Sequence, residues 1–147
     1  MMKNNEVILD TKPLIMAGGE IIEQISGKYG KKECRAITEF LKEKKISTTP
    51  QVFAEFYSLI KSHFGKDFSK YSLETMKKIF EEINEVYVEK EEIINDNKFP
   101  DFGFTDISLV KSGKSLLTSD FSLYNYAKSQ GVSVKHIDEI FTLGVVK

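Results

Sequence analysis

Four carboxylates stand out by their surroundings. Asp10 ends the β-branched run of "VILDTKPLI" (7–15), and Asp120 ends the apolar run of "SLLTSD" (115–120). Glu55 lies inside "QVFAEFYSLI", in the second turn of a helix whose start is marked by Thr49 as N-cap and Pro50 at the first helical position. Asp106 lies in "GFTDISLV", in the first turn of a short helix predicted over 104–111. In an open parallel sheet, ligands gather at the carboxyl ends of the strands. Two strands ending on Asp and two helices starting at that edge would bring the four acids together. Such a group repels itself and is tolerated when protons or a cation sit among its members. Oxygen-only donors favour Mg2+ or Mn2+ over zinc. The chemistry that suits them is phosphodiester hydrolysis, in which charge on phosphorus must be neutralised and a water made nucleophilic. Each acid also has a plainer role. Asp10 and Asp120 can be helix N-caps, Glu55 can sit on a wet helix face, and Asp106 can complement a helix dipole.

The elements that must position these acids are readable from periodicity and punctuation. Strands are expected over 6–10, over 46–48, in "EVYVEK" (85–90, Val86 and Val88 alternating with Tyr87 and Glu89), in "SLLTSD" and in "VSVKHID" (132–138). Residues 13–26 are patchily helical around Gly18-Gly19, and 31–44 carry Cys34, Ile37 and Leu41 on one stripe. A helix over 50–65 puts Val52, Phe53, Phe56, Leu59 and Ile60 on its apolar face. A second capped helix starts near Ser72 and runs through Ile79, Phe80 and Ile83. "NDNKFPDFGF" (95–104) reads as loop, and "FSLYNYAKSQG" as a helix stopped by Gly131. Strands alternating with helices imply right-handed crossovers and parallel pairing. The expected fold is α/β: a three-layer α/β/α single domain over 1–147, with a central, mainly parallel sheet of four to five strands.

Composition narrows the function classes. The 147-residue chain has a net charge of −1, so no global field draws it to nucleic acid. One cysteine, Cys34, excludes a disulfide framework and a Cys-rich zinc site and fits a reducing compartment. No stretch reads as a signal peptide, and none approaches the ~18 apolar residues of a membrane span. A cytoplasmic protein without membrane association is expected. The lysine and glutamate clusters read as solvated helix faces. His63 and His136 are isolated and read as structural or solvent-facing, Cys34 as core, and Phe99, Phe102 and Phe104 as a packed loop.

"VILDTKPLI", "TPQVFAEF", "GFTDISLV" and "LLTSDFSL", in that order, resemble the four motifs of the PIN-domain ribonuclease family, over about residues 6 to 138. The resemblance implies a PIN-like fold and a Mg2+- or Mn2+-dependent endoribonuclease that hydrolyses single-stranded RNA. It implies that Asp10, Glu55, Asp106 and Asp120 are both the catalytic and the metal-holding residues. Thr11, Thr118 and Ser119 match small hydroxyl positions lining a substrate site. Lys12, Lys111 and Lys114 are expected to hold the RNA backbone. Because the family includes the toxins of toxin–antitoxin pairs, an antitoxin-like protein partner and a homodimer stay open.

Other classes fit less well. A catalytically inactive PIN-fold module that binds nucleic acid or protein would have little reason to keep four repelling acids. "SGKS" (112–115) is no phosphate-binding loop, because the first glycine of that motif falls on Ser108 and a strand follows instead of preceding it. "DFG" (101–103) lacks the rest of a kinase pattern. A haloacid-dehalogenase-type phosphatase needs an acid two residues after Asp10, where Lys12 stands, and no strand carries the acidic pair of a receiver domain.

Overall fold

Val7, Ile8 and Leu9 are fully buried at the centre of the sheet, as an unbroken apolar run must be when helices cover both of its faces. The computed structural model describes residues 5–68 and 70–146; residues 1–4, 69 and 147 of the expected 1–147 domain lie outside them. Strand β1 (Glu6–Leu9) is followed by α1 (Thr11–Met16), α2 (Glu23–Tyr29), α3 (Lys31–Leu41), β2 (Lys45–Thr48), α4 (Pro50–Phe64) and a short 3-10 turn (Gly65–Asp67). Then come α5 (Lys70–Glu81), β3 (Asn84–Glu85), α6 (Lys90–Ile94), α7 (Phe99–Val110), β4 (Leu116–Thr118), α8 (Phe121–Ser129), β5 (Val134–His136) and α9 (Ile137–Val146). The five strands form one sheet in the order β3-β2-β1-β4-β5, and every pairing among the described residues is parallel. Helices flank the sheet in a three-layer α/β/α arrangement, as expected. No helix of the described residues is long and apolar enough to cross a membrane.

Strand order sets where a ligand can sit. From β1 the chain steps to β2 and β3 on one side, then returns to place β4 and β5 on the other. The direction of winding reverses between β1 and β4. At such a switch point the loops leaving the two strands part in opposite directions and open a crevice at their carboxyl ends. Asp10 leaves β1 there, and Asp120 leaves β4.

Local chemistry explains the elements around this crevice. Thr49 caps α4, accepting from the Val52 N–H at 3.4 Å, with Pro50 behind it. Pro13 falls in the first turn of α1, where no N–H is needed for the helix ladder. The interruption at Gly18-Gly19 is a packing requirement. A Cβ on Gly18 would stand 2.7 Å from the Met76 sulfur, and one on Gly19 would collide with the Cys34 side chain.

Three expectations are corrected. The strand in "EVYVEK" is shorter and earlier: β3 spans Asn84–Glu85, paired with Ser47 and Thr48, while 86–89 carry no regular structure. Most of the expected loop over 95–104 is the first part of α7, which continues through a kink at Gly103 (φ 82°) into the helix expected from 104. The last strand, expected over 132–138, is only Val134–His136; Ile137 and Asp138 open α9, which packs against α3 and β5 and buries Ile137 and Ile140. Asp138 and Glu139 in its first turn were a legible start signal.

Candidate active site

Asp10 is buried, 7% exposed, and both of its oxygens are engaged. Oδ1 accepts the Thr11 N–H at 2.7 Å, which makes Asp10 the N-cap of α1. Oδ2 accepts the Thr118 hydroxyl at 2.7 Å. Burial pushes the Asp10 carboxyl above the usual carboxylate range; bonds from Thr118 and Thr11 oppose the shift, and the charges of Glu55 and Asp120 add to it. Thr118 is fully buried and also accepts the Asp120 N–H at 3.1 Å, so one hydroxyl ties β1 to the turn that carries Asp120.

Glu55 stands exposed on the second turn of α4, and its Oε1 accepts the Thr11 hydroxyl at 2.7 Å. Thr11, the residue after Asp10, therefore links α1 to Glu55 on α4. Asp120 is exposed and caps α8 through Oδ1, which accepts the Ser122 and Leu123 N–H groups at 2.8 and 3.2 Å. Asp106, partly buried, is the third residue past the Gly103 kink, so its first-turn position belongs to the second segment of α7. Its pKa is pushed up to about 7, by burial first and then by the charges of Asp10, Asp120 and Glu55.

Asp10 and Asp106 thus each feel the charges of Glu55 and Asp120, and the cap readings of Asp10 and Asp120 hold at the same time. Electrostatic reach exceeds ligating distance. Among the described residues no three His, Cys, Asp or Glu side chains stand close enough to form a ready-made metal cluster. Like charges on separate elements repel, which opposes a tight gathering.

No family model and no curated protein matches the chain. A solved structure described as a domain of a functionally unknown protein from Methanocaldococcus jannaschii DSM 2661 is similar, at 26% identity over 89% of each chain, with a TM-score of 0.47.

The remaining sequence candidates divide by position. Thr11 and Thr118 are buried, at 2% and 0% exposure, and their hydroxyls hold carboxylates, so they act as positioning residues. The Ser119 carbonyl lies 2.9 Å from His136 Nε2. Lys12 stays beside the site, exposed in the first turn of α1 with Nζ 5.7 Å from the centre of the Tyr29 ring. Lys111 and Lys114 are corrected: they lie toward the opposite edge. Lys114 precedes β4 and pairs at 3.2 Å with Glu6, the first residue of β1. Lys111 follows α7 and pairs at 3.2 Å with Asp96.

Sequence reading missed the chain of hydroxyls that joins α4 to α7. The Val52 N–H donates to Thr49 Oγ1, Thr49 and Ser108 share a hydrogen bond of 3.0 Å, and the Ser108 hydroxyl donates to the Thr105 carbonyl at 2.6 Å. Because Ser108 spends its proton on Thr105, Thr49 is the donor between the two hydroxyls. This chain fixes the helix of Glu55 against the helix of Asp106. His136, expected to be structural or solvent-facing, is structural. It is buried, faces the Ser119 carbonyl, and accepts the Asp138 N–H at Nδ1 at 3.0 Å. Hydrogen bonds across such sequence separations leave no local signal.

Proposed function

We propose that the chain is a PIN-type, metal-dependent endoribonuclease that hydrolyses phosphodiester bonds in single-stranded RNA. The observation that carries the reading is the coupling of Asp106 to Asp10, Asp120 and Glu55, three acids from three other elements, at the switch point of the sheet. A fold that only needed helix caps would not set a partly buried fourth acid beside them.

The donor chemistry fits Mg2+ or Mn2+. Every candidate ligand is a carboxylate oxygen, and both ring nitrogens of His136 are engaged with backbone groups. Asp10, Glu55, Asp106 and Asp120 would hold the cation, which when bound supplies positive charge at the phosphate and lowers the pKa of a water. The chain supplies the rest. Thr118 and the Thr11 N–H orient the Asp10 carboxylate, and the Thr11 hydroxyl holds Glu55. With a value near 7, Asp106 exchanges its proton in the neutral range and can take up or release one as ligands come and go. Lys12 is the cation beside Asp10 that can face an RNA phosphate.

The test is cleavage of an end-labelled, unstructured RNA by the purified chain, with Mn2+, with EDTA, and with a folded Asp106→Asn variant. Metal-dependent cleavage that the variant loses is the expected result. Absence of both cleavage and calorimetric metal binding would overturn the reading.

A further inference from the structure

Phe121 immediately follows Asp120, and 57% of its surface is exposed. A single exposed aromatic is ordinary; this one is held as a fixed plane. One face lies on the His136 ring, with centroids 3.7 Å apart and planes at 10°. Tyr124 meets it edge-on at 6.4 Å and 78°, and meets His136 at 6.2 Å and 83°. His136 is itself pinned between the Ser119 carbonyl and the Asp138 N–H. Phe121 therefore presents its other face with little rotamer freedom left to lose.

The same face of α8 continues the pattern. Phe121, Tyr124 and Lys128 fall at i, i+3 and i+7, the spacing that aligns side chains along a helix. Lys128 Nζ donates to the Tyr124 hydroxyl at 3.2 Å and stands 5.1 Å from the centre of its ring. A flat π face beside the carboxylates, followed by a cation about 10 Å further along the helix, matches a base and a later phosphate of one strand.

We propose that Phe121, backed by His136, is a stacking platform for an unpaired base next to the scissile phosphate, and that the strand continues along α8 past Tyr124 to Lys128. The inference rests on the nuclease reading and adds how the substrate is chosen. In a duplex both faces of a base are covered by its neighbours, so a platform that needs a free face selects single strands. Stacking accepts any base, so the preference it gives is for unpaired structure more than for sequence.

The test uses a short unpaired RNA carrying one 2-aminopurine, whose fluorescence falls when the base stacks. It is mixed with the full chain in Mn2+ and read before cleavage, with cleavage followed in parallel. Wild type and Phe121→Trp should quench the probe. Phe121→Ala and the apolar but non-aromatic Phe121→Leu should bind about 10-fold more weakly with little quenching, because both lose the aromatic face. Lys128→Ala should reduce the salt slope of binding by about one. Equal quenching by Phe121→Leu and wild type, while wild type still cleaves, overturns the platform and leaves the nuclease reading standing. Equal affinity for a duplex, or self-association through Phe121 in place of RNA binding, also overturns it. Wild type that neither binds nor cleaves removes both readings together.

Discussion

The Thr118 hydroxyl and the Asp10 carboxylate meet at 2.7 Å across neighbouring strands, although 108 residues separate them in sequence. This bond opposes the effect of burial on Asp10, and the same oxygen accepts the N–H of Asp120. Thr118→Val keeps the shape of the side chain and removes both functions. The buried Asp10 oxygen loses a partner, as does the part-buried Asp120 N–H, and an unsatisfied buried group costs about 1–3 kcal/mol. Thermal unfolding should show the loss, and the Asp10 carboxyl, followed by carbon-13 NMR, should titrate higher than in the parent. An unchanged Asp10 titration would show that the bond does not hold the carboxylate.

Asp106 sets a stability profile that runs opposite to the usual one for acids. Its folded-state value is about 7 against an ordinary 3.8. Between those values the folded chain keeps a proton that the unfolded chain releases. The favourable contribution is complete below the lower value and is lost as pH rises through the upper one. In EDTA, stability should therefore fall between about pH 4 and pH 8. Asp10 is shifted in the same direction and remains in the variant. Asp106→Asn should thus flatten the decline in part, melting ~2–4 °C above the parent near pH 8, as a gain of about 1 kcal/mol does in a chain of this size, and matching it near pH 4.

Metal and proton should compete for the same acids. Added Mn2+ stabilises the folded chain according to its affinity and concentration. The resulting rise in melting temperature should be larger near pH 8 than near pH 5, because Asp106 is mostly protonated at the lower value. Asp106→Asn should shrink the rise at both. An equal rise in the variant would mean that the cation sits elsewhere.

Asp96 holds together a second polar group, away from the acids. Its side chain is 2% exposed and accepts from the Tyr126 hydroxyl at 2.6 Å, the Lys98 N–H at 2.8 Å and Lys111 at 3.2 Å. Burial raises its pKa, but these bonds and the charge of Lys111 outweigh it and hold the group below the ordinary range. Tyr126→Phe should cost about 1 kcal/mol of stability and leave RNA cleavage unchanged. A loss of cleavage in a stable variant would show that this group and the acids are linked.

The products carry one more expectation. On the proposed reading, water attacks phosphorus and the 3′-oxygen leaves with a proton, giving 5′-phosphate and 3′-hydroxyl ends. A 2′,3′-cyclic phosphate would mean that the RNA's own 2′-hydroxyl is the nucleophile, and the carboxylates would then need a different role.

What could be read from sequence was what local chemistry decides. Asp10 and Asp120 could be placed at strand ends because an apolar run stops on a carboxylate at each. Thr49 and Pro50 announced α4 because capping is a local matter. The errors arose where a partner decides. β3 is a two-residue edge strand whose position is set by Ser47 and Thr48, so the alternation of Val86 and Val88 pointed past it. Lys111 and Lys114 are near Asp106 and Asp120 in sequence but not in the fold. A helix rises ~1.5 Å per residue, and the end of α7 carries them toward the opposite edge. The bond between Thr49 and Ser108 spans 59 residues, and neither residue type announces it.

The placement of β1 also governs when the acid site can assemble during synthesis. β1 is made before the other four strands of the sheet and is central in it, and its partner on one side, β4, begins only at Leu116. Until then one edge of β1 lacks its neighbour, Asp10 lacks the Thr118 hydroxyl, and Asp120 does not yet exist. Until β4 is made, the chain therefore lacks the assembled acid site and presents Ile8 and Leu9 on an open edge, a template for wrong pairing. Assembly of the acid site and closure of that edge arrive together, when β4 docks against β1.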